Sequence, residues 1–378
     1  MILTVSTAVV FDFTNGFHDT ANAMATTIAT RALPPRIAVL LAAVLNFVGA
    51  FISVTVAATI ASGIVDQAEV TVPIIFAGLV GAILWNVTTW FLGIPSSSSH
   101  ALIGGVVGAV IAGVGTDAVI WDGIASKVVI PALLAPFVCG LAAFIATRLS
   151  YRLTRAVPEA ESTTGFRLSQ IASSSMVALA HGTNDAQKTM GVVVLTLVAS
   201  DRLAPDAGVP FWVKFVCATA IALGTFSGGW RVIRTLGTRV TEIRSPQGFS
   251  AETASSTTIL ASSYFGFSLS TTQVVSGGIM GAGLGRAGGV VHWIVVRNMV
   301  VAWVLTLPAA ATVGGLADIV VEGFSNTSVG VTVVASALAL TLGAIFRLAR
   351  RHGHVDATNV IDEPASPVAP RREPVAAT

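Results

Sequence analysis

A chain of 378 residues that is 53% hydrophobic and 11% charged, with a mean hydropathy of +0.80, carries less than half the charge of an ordinary soluble domain, where about 25% of residues are charged. That balance excludes a water-soluble globular protein and places the chain in a lipid bilayer. A formal net charge of +2, carried by arginines in short loops and not on one basic face, gives no case for a nucleic-acid partner.

In chain order, Met1 to Phe11 has no basic start and runs into Asp12 without a small-residue cleavage site, so a cleaved leader is not expected and the first segment spans. Further apolar runs follow at Ile37 to Ala61, Val70 to Gly93, Val128 to Thr147, Phe211 to Gly229, Val290 to Val313 and Val329 to Arg347. Each approaches the roughly 20 residues that a helix needs to cross a bilayer. Backbone in lipid must satisfy its own hydrogen bonds, and the alternation of a membrane barrel is absent, so the class is all-α, with about ten membrane segments. Cys139 and Cys217 sit alone inside apolar runs and read as small packing hydrophobes. The polar stretch from Arg155 to Gly165 reads as a linker, and the tail from Arg350, with Pro364, Pro367, Pro370 and Pro374, reads as disordered.

Two motifs recur. Residues 14–24, TNGFHDTANAM, match residues 180–190, AHGTNDAQKTM, at an offset of 166, which pairs Asp19 with Asp185. Residues 93–109, GIPSSSSHALIGGVVGA, match residues 266–282, GFSLSTTQVVSGGIMGA, at an offset of 173. Gly49 with Gly224, Trp121 with Trp293 and Pro136 with Pro308 echo the same spacing. The chain divides into a first transmembrane repeat at 1–150, a cytoplasmic linker at 151–166, a second repeat at 167–320, a terminal helix at 328–348 and a disordered cytoplasmic tail at 350–378.

Basic clusters at Arg31 and Arg36, at Arg148, Arg152 and Arg155, from Arg231 to Arg244, and at Arg347, Arg350 and Arg351 belong in the cytoplasm. The acidic loops at Asp66 and Glu69 and at Asp318 and Glu322 belong outside. The N-terminus is then external and the C-terminus cytoplasmic. For Arg148 to fall inside, segments 70 to 93 and 98 to 114 must cancel, as two full crossings or as one re-entrant hairpin with its tip at Ser96 to His100. Either way the first half crosses an odd number of times, and the second half is inverted relative to it.

Transporters built from inverted repeats bind ligands near the midplane, where broken helices offer free N–H groups and carbonyls. Ser96, Ser97, Ser98 and Ser99, and likewise Ser270, Thr271, Thr272 and Gln273, stand where a helix restarts, so their hydroxyls and first-turn amides can face one oxyanion. One such cluster would serve equally well as glue between helices; two at matching positions favour a ligand. A carboxylate within the bilayer costs a few kcal/mol, so Asp19 and Asp185 need a cation, a proton or a partner. Asn22, Asn184 and nearby carbonyls suit a cation, Na+ included, whereas Lys188, one turn after Asp185, suits a salt bridge. Lys188 aligns with Asn22, which makes the two halves chemically unequal. His18 and His181 are proton carriers or packing residues. Asp12, two turns before Asp19, has no repeat partner and is a candidate outer ion position.

NGFHDTANAMAT and HGTNDAQKTMG, with SSSSHALIGG and STTQVVSGG, resemble the paired signatures and hairpin tips of the inorganic phosphate transporter (PiT) family, over nearly the whole chain to about residue 347. The resemblance implies secondary transport of inorganic phosphate driven by a cation gradient, with Asp19 and Asp185 on the cation side and the Ser/Thr tips on the phosphate side. It leaves open H+ or Na+ as the coupled ion, sulfate or a metal-phosphate complex as the cargo, and a homo-oligomer as the assembly. No cofactor and no enzymatic activity are expected. The short loop from Arg148 to Arg167 has no room for the large cytoplasmic domain of longer members. An intramembrane aspartyl protease would also hold two acids, but its Gly-x-Gly-Asp pattern is missing here and it needs no internal repeat. A passive anion channel is separated from a carrier by concentrative uptake.

Overall fold

The computed structural model describes residues 1–351 and 353–361, which form fourteen α-helices, three short 3-10 or π-helical segments and two isolated β-bridges. The first half runs α1 (Ile2–Ala29), α2 (Pro35–Gly49), α3 (Thr55–Ser62), α4 (Val72–Leu92), α5 (Ser98–Gly113), α6 (Trp121–Ile124) and α7 (Ile130–Leu153). The second runs α8 (Glu159–Val198), α9 (Phe211–Ser227), α10 (Trp230–Arg234), α11 (Ser245–Tyr264), α12 (Thr271–Gly285) and α13 (Trp293–Glu322), followed by α14 (Thr327–Arg351). Proline at the first or second position opens α2, α4 and α11, where its missing N–H has no partner to lose. Gly93, at φ +66°, ends α4, and Gly266, at φ +70°, turns the chain between α11 and α12, a left-handed conformation that glycine adopts without a Cβ clash.

The element order of the first half returns in the second: α1 with α8, α2 with α9, α4 with α11, α5 with α12, α7 with α13. Each hairpin packs on the long helix of the other half, α4–α5 on α13 and α11–α12 on α7. Bridges between Val65 and Val119 and between Thr241 and Val291 close the bases of the two hairpins. Their turns are pinned across halves as well. Trp303 Nε1 donates to Pro95 O (3.0 Å), and Ser268 N donates to Lys127 O (3.1 Å). That lysine carbonyl is available because Pro131, four residues on, has no N–H to offer it.

α1 and α8 run antiparallel. Thr30, at the end of α1, accepts through its carbonyl from Arg167 Nε near the start of α8 (3.1 Å), and Met1 Sδ accepts from Ser200 Oγ just past the end of α8 (3.3 Å). The basic loops gather at the Thr30 end, where Arg244 lies 3.6 Å from Glu159 and Arg286 lies 3.4 Å from Glu242.

α4, the continuous stretch Trp121–Leu153, α13 and α14 are long and apolar enough to cross a membrane, and α9 with the Trp230–Arg239 segment, bent by 61°, makes a fifth such span. Leu133, Phe137 and Leu141 on α7, Val304 on α13 and Leu340 on α14 are exposed, as a lipid-facing surface requires. The remaining helices fall short of ten apolar spans for identifiable reasons. The 16 residues of α5 and the 15 of α12 reach only about 24 Å and about 22 Å, less than a hydrocarbon core of about 30 Å. α1 and α8 are long enough, with 28 and 40 residues, but their polar side chains are buried against protein and dilute the hydropathy.

Two expected boundaries move. α7 continues to Leu153 and α8 begins at Glu159, so most of the 151–166 linker is helix. The tail expected to be disordered from Arg350 is helical to Arg351, and residues 353–361 pack back on α10: Arg231 Nη2 donates to Gly353 O (3.1 Å), Arg234 Nη2 donates to Asn359 O (2.6 Å), and Val360 is buried. Guanidinium donors satisfying backbone carbonyls order a segment whose composition alone suggests none. The four prolines of the tail lie outside the described residues.

The hairpins approach the opposite half through glycine. A Cβ on Gly108 would lie 2.0 Å from Ala311 O, and one on Gly281 would lie 1.9 Å from Gly140 O. Alanine at either position is expected to lower stability by about 1–3 kcal/mol, the usual range for overpacking, read as a lower midpoint of thermal unfolding in detergent. Alanine at Gly165, where a Cβ meets nothing within 4 Å, is the control that leaves the midpoint unchanged or raised.

Candidate functional site

Where α1 crosses α8, the helical period brings polar residues onto facing sides: His18, Asp19 and Asn22 from α1, and His181, Asp185 and Lys188, spaced four and three apart, from α8. The restarts of α5 and α12 meet them there. Every candidate named from sequence, from Ser96 through Ser99, from Ser270 through Gln273, and the seven residues on α1 and α8 with Asn184, is 5% exposed or less.

The two acids are bonded differently. Asp185 accepts from Lys188 Nζ and from Thr271 Oγ1 (3.0 Å), and its Oδ2 lies 3.1 Å from His181 Nε2. Asp19 Oδ1 lies 2.5 Å from His18 Nδ1 and accepts from Thr272 Oγ1 (3.3 Å); its Oδ2 is 4.0 Å from His181 Nε2. Lys188 also donates to Ser99 Oγ and to Leu269 O (2.7 Å), so one ammonium ties an acid to both hairpin turns. Asn22 Nδ2 donates to Thr271 Oγ1 (3.3 Å) and Thr272 Oγ1 (3.0 Å), and Asn184 Nδ2 donates to Ser263 Oγ (2.8 Å). The salt-bridge partner offered for Asp185 is thus in place, and acids and hydroxyls expected on separate sides of a site interdigitate.

Ser97 Oγ accepts from His100 N (3.1 Å) and Ser270 Oγ accepts from Gln273 N (3.3 Å), the same N-cap at equivalent positions. Each cap satisfies the third amide of its helix and leaves the two before it without an intrahelical acceptor, which suits an anion. Ser96 Oγ bonds Thr89 Oγ1 (2.8 Å) and lies 3.5 Å from His18 Nε2. Ser98 Oγ, Asn22 Oδ1, Asn184 Oδ1 and Gln273 Oε1 are buried without a hydrogen-bond partner among the described residues. Ligating atoms of Asp19, His181 and Asp185 lie within 4.8 Å of one another, close enough to share one cation.

Sequence reading missed three supports. Asn46 Oδ1 lies 3.2 Å from His181 Nδ1 and its Nδ2 donates to Thr225 Oγ1 (2.7 Å). Thr89 Oγ1 lies 3.3 Å from His18 Nε2. Glu252, buried on α11, accepts from Thr26 (2.6 Å) and Thr27 (2.7 Å) of α1 and from Gln170 (3.0 Å) and Ser173 (2.5 Å) of α8. Asn46 stands out as a polar residue deep in the apolar run of α2 and Glu252 as the one charged residue of α11, whereas Thr89, beside Asn86 and Thr88 on α4, carries no such signal.

Fold and site define a multi-pass α-helical membrane protein with a buried, charge-bearing polar centre. The chain belongs to the phosphate transporter family, a family of secondary transporters: residues 15–314 match the model described as "Phosphate transporter family". A "Probable low-affinity inorganic phosphate transporter" of Mycobacterium bovis is 51% identical over alignments covering 100% of this chain and 93% of that protein. One of the same description from Bacillus subtilis is 41% identical, covering 84% and 95%. A solved structure titled "The sodium-dependent phosphate transporter" superposes with a TM-score of 0.76 at 26% identity, covering 85% of this chain and 98% of that one.

Glu252 joins α11 to both central helices, and removing it orphans the donors on them. Glu252→Ala is expected to cost roughly 2–4 kcal/mol of stability, whereas Glu252→Gln, which keeps an acceptor, costs less; thermal unfolding of the two variants side by side checks the order.

Proposed function

We propose that this protein takes up inorganic phosphate across the cell membrane as a secondary active transporter driven by a gradient of H+ or Na+. The observation that carries the reading is the direct bonding of the α12 hydroxyls, Thr271 and Thr272, to Asp185 and Asp19 at the α1–α8 crossing. Phosphate drawn to the helix starts takes donors away from the acids, and a cation then replaces those donors on the carboxylates. Each ligand completes the site of the other, which is what coupling requires. On this reading Ser98, Thr271, Thr272, Gln273 and the first-turn amides of α5 and α12 hold phosphate, with Ser96, Ser97, Ser99 and Ser270 shaping the tips. Asp19, Asp185, Asn22 and Asn184 hold the cation, His18 and His181 flank it, and Lys188 offsets negative charge. The descriptions of the relatives support phosphate as cargo, and the sodium-dependent structure supports a cation as driver.

Alternating access follows from the repeats. The equivalent helices α1 and α8 run antiparallel, and the basic loops gather at one end, which supports inverted halves with the N-terminus outside and the C-terminus cytoplasmic. Each hairpin then enters from its own face and stops at the acids.

Asp19→Asn and Asp185→Asn are each expected to abolish gradient-driven uptake of labelled phosphate in vesicles while the protein stays folded and inserted. Thr271→Val and Thr272→Val are expected to weaken apparent phosphate affinity at least tenfold, about 1.4 kcal/mol. Uptake at wild-type rates in either Asn variant, or labelled sulfate accumulating in place of phosphate, refutes the assignment.

Sidedness is tested by cysteine labelling in a background lacking Cys139 and Cys217. Thr116 should label from outside and Ala287 from the cytoplasm; Ala287 is chosen because its neighbour Gly288 has φ +73°, which a side chain would strain. Labelling of both from one face refutes inversion.

A further inference from the structure

Besides the central acids, the α1–α8 interface holds a third buried carboxylate, to which the transport reading gives no role. Asp12 is fully buried, and neither of its oxygens has a hydrogen-bond partner among the described residues. Asn15, one turn along α1, and Thr189, one turn beyond Asp185 on α8, face it. Asn15 Oδ1 and Thr189 Oγ1 are themselves buried, and among the described residues neither makes a hydrogen bond of ordinary geometry, Asp12 being the acid that both side chains adjoin. Thr20, Thr183 and Thr196, buried on the same two helices, turn the hydroxyl back on the preceding turn, to Gly16 O (2.8 Å), Leu179 O (2.8 Å) and Val192 O (2.8 Å). Thr189 does not. The remaining titratable groups nearby are His181 and Asp185 on α8 and Cys217 on α9.

A carboxylate in this setting is several kcal/mol out of balance unless a positive charge joins it. The group offers a carboxylate, an amide oxygen and a hydroxyl, a hard-oxygen set suited to a small monovalent cation or a proton. By helix geometry it lies about 10.5 Å from Asp19, toward the N-terminal end of α1. Asp12 has Ala178 as its repeat counterpart, so the feature belongs to one half only.

We propose that Asp12, Asn15 and Thr189 form a second station for the coupling cation, separate from the central acids and reached before them from the N-terminal end of α1. The proposal rests on the transport reading above, and two measurements keep the two apart. The first is phosphate uptake by protein in phospholipid vesicles under an imposed Na+ gradient and, separately, an imposed H+ gradient. Asp12→Asn is expected to raise the half-activating concentration of the driving cation at least tenfold, with phosphate affinity at saturating cation within twofold of wild type. Thr189→Val, which keeps the side-chain shape and removes the hydroxyl alone, moves the same quantity in the same direction, and it serves if the first variant does not fold. The arm that shifts identifies the ion. The second measurement is the thermal midpoint in detergent across NaCl, choline chloride and pH series, which reads cation binding without transport. Cation-dependent stabilisation weakened in both variants supports the station. Wild-type cation activation and stabilisation in the variants, or a shift in phosphate affinity with cation activation intact, overturns it. A wild-type protein that accumulates no phosphate under either gradient overturns the transport reading instead.

Discussion

Two carboxylates, an ammonium and two imidazoles share a space from which water is largely excluded, and the rest of the molecule is organised by the cost of keeping them there. An unpaired ion in such a place is penalised by several kcal/mol. Lys188 therefore cannot serve as a loose counter-ion: its ammonium must find acceptors in every direction, and it does so on Asp185, Ser99 and Leu269. Helices that carry such groups cannot face lipid. α1 and α8 are consequently enclosed, while α7, α13 and α14 present leucine, valine and phenylalanine outward. The hydropathy of each helix reports what surrounds it and not whether it traverses the bilayer.

Enclosure also explains the exchange of hairpins between halves. A hairpin packed on its own half would leave the crossing of α1 and α8 covered from one side only. With α4–α5 seated on α13 and α11–α12 seated on α7, both turns reach the crossing, where Lys188 bonds Ser99 and Leu269. The glycines at 104, 108, 277 and 281 let backbone approach backbone there, where carbonyls of Leu307, Ala311, Pro136 and Gly140 fill the space of a Cβ. Since the same contacts occur twice, a single local geometry, encoded once and duplicated, positions both tips.

Much of this was legible in the sequence because duplication leaves long, directly comparable strings. Asp19 with Asp185 and the SSSSH and STTQ tips could be paired by counting, and the structure brings all of them to one place. What could not be read were contacts between segments far apart in the chain. Nothing local marks Asn46 as the partner of His181, or assigns Glu252 to donors on two other helices. The bonding of tip hydroxyls to the acids is unreadable for the same reason: sequence places Thr271 on a tip but is silent on whether its hydroxyl turns toward ligand or toward Asp185. Residues 353–361 depart from what composition suggests because composition weighs only a segment's own apolar content, and these residues are held by arginines of α10.

The inequality of the halves is as informative as their likeness. A perfectly repeated site would bond both acids alike, and opening toward either end would break equivalent contacts. Here the α8 side carries Lys188 where α1 has Asn22, so Thr271 leaves an acid that retains an ammonium, while Thr272 leaves one whose bonded neighbour is an imidazole. On the proposed reading a cation gains more at Asp19, where no fixed positive charge already compensates the carboxylate, than at Asp185. A ligand can shift a conformational equilibrium only by the difference in its affinity for the two states. On the proposed reading that difference is concentrated at Asp19, on the half that also carries Asp12, so two halves that both contribute to the anion and cation sites respond unequally to the cation.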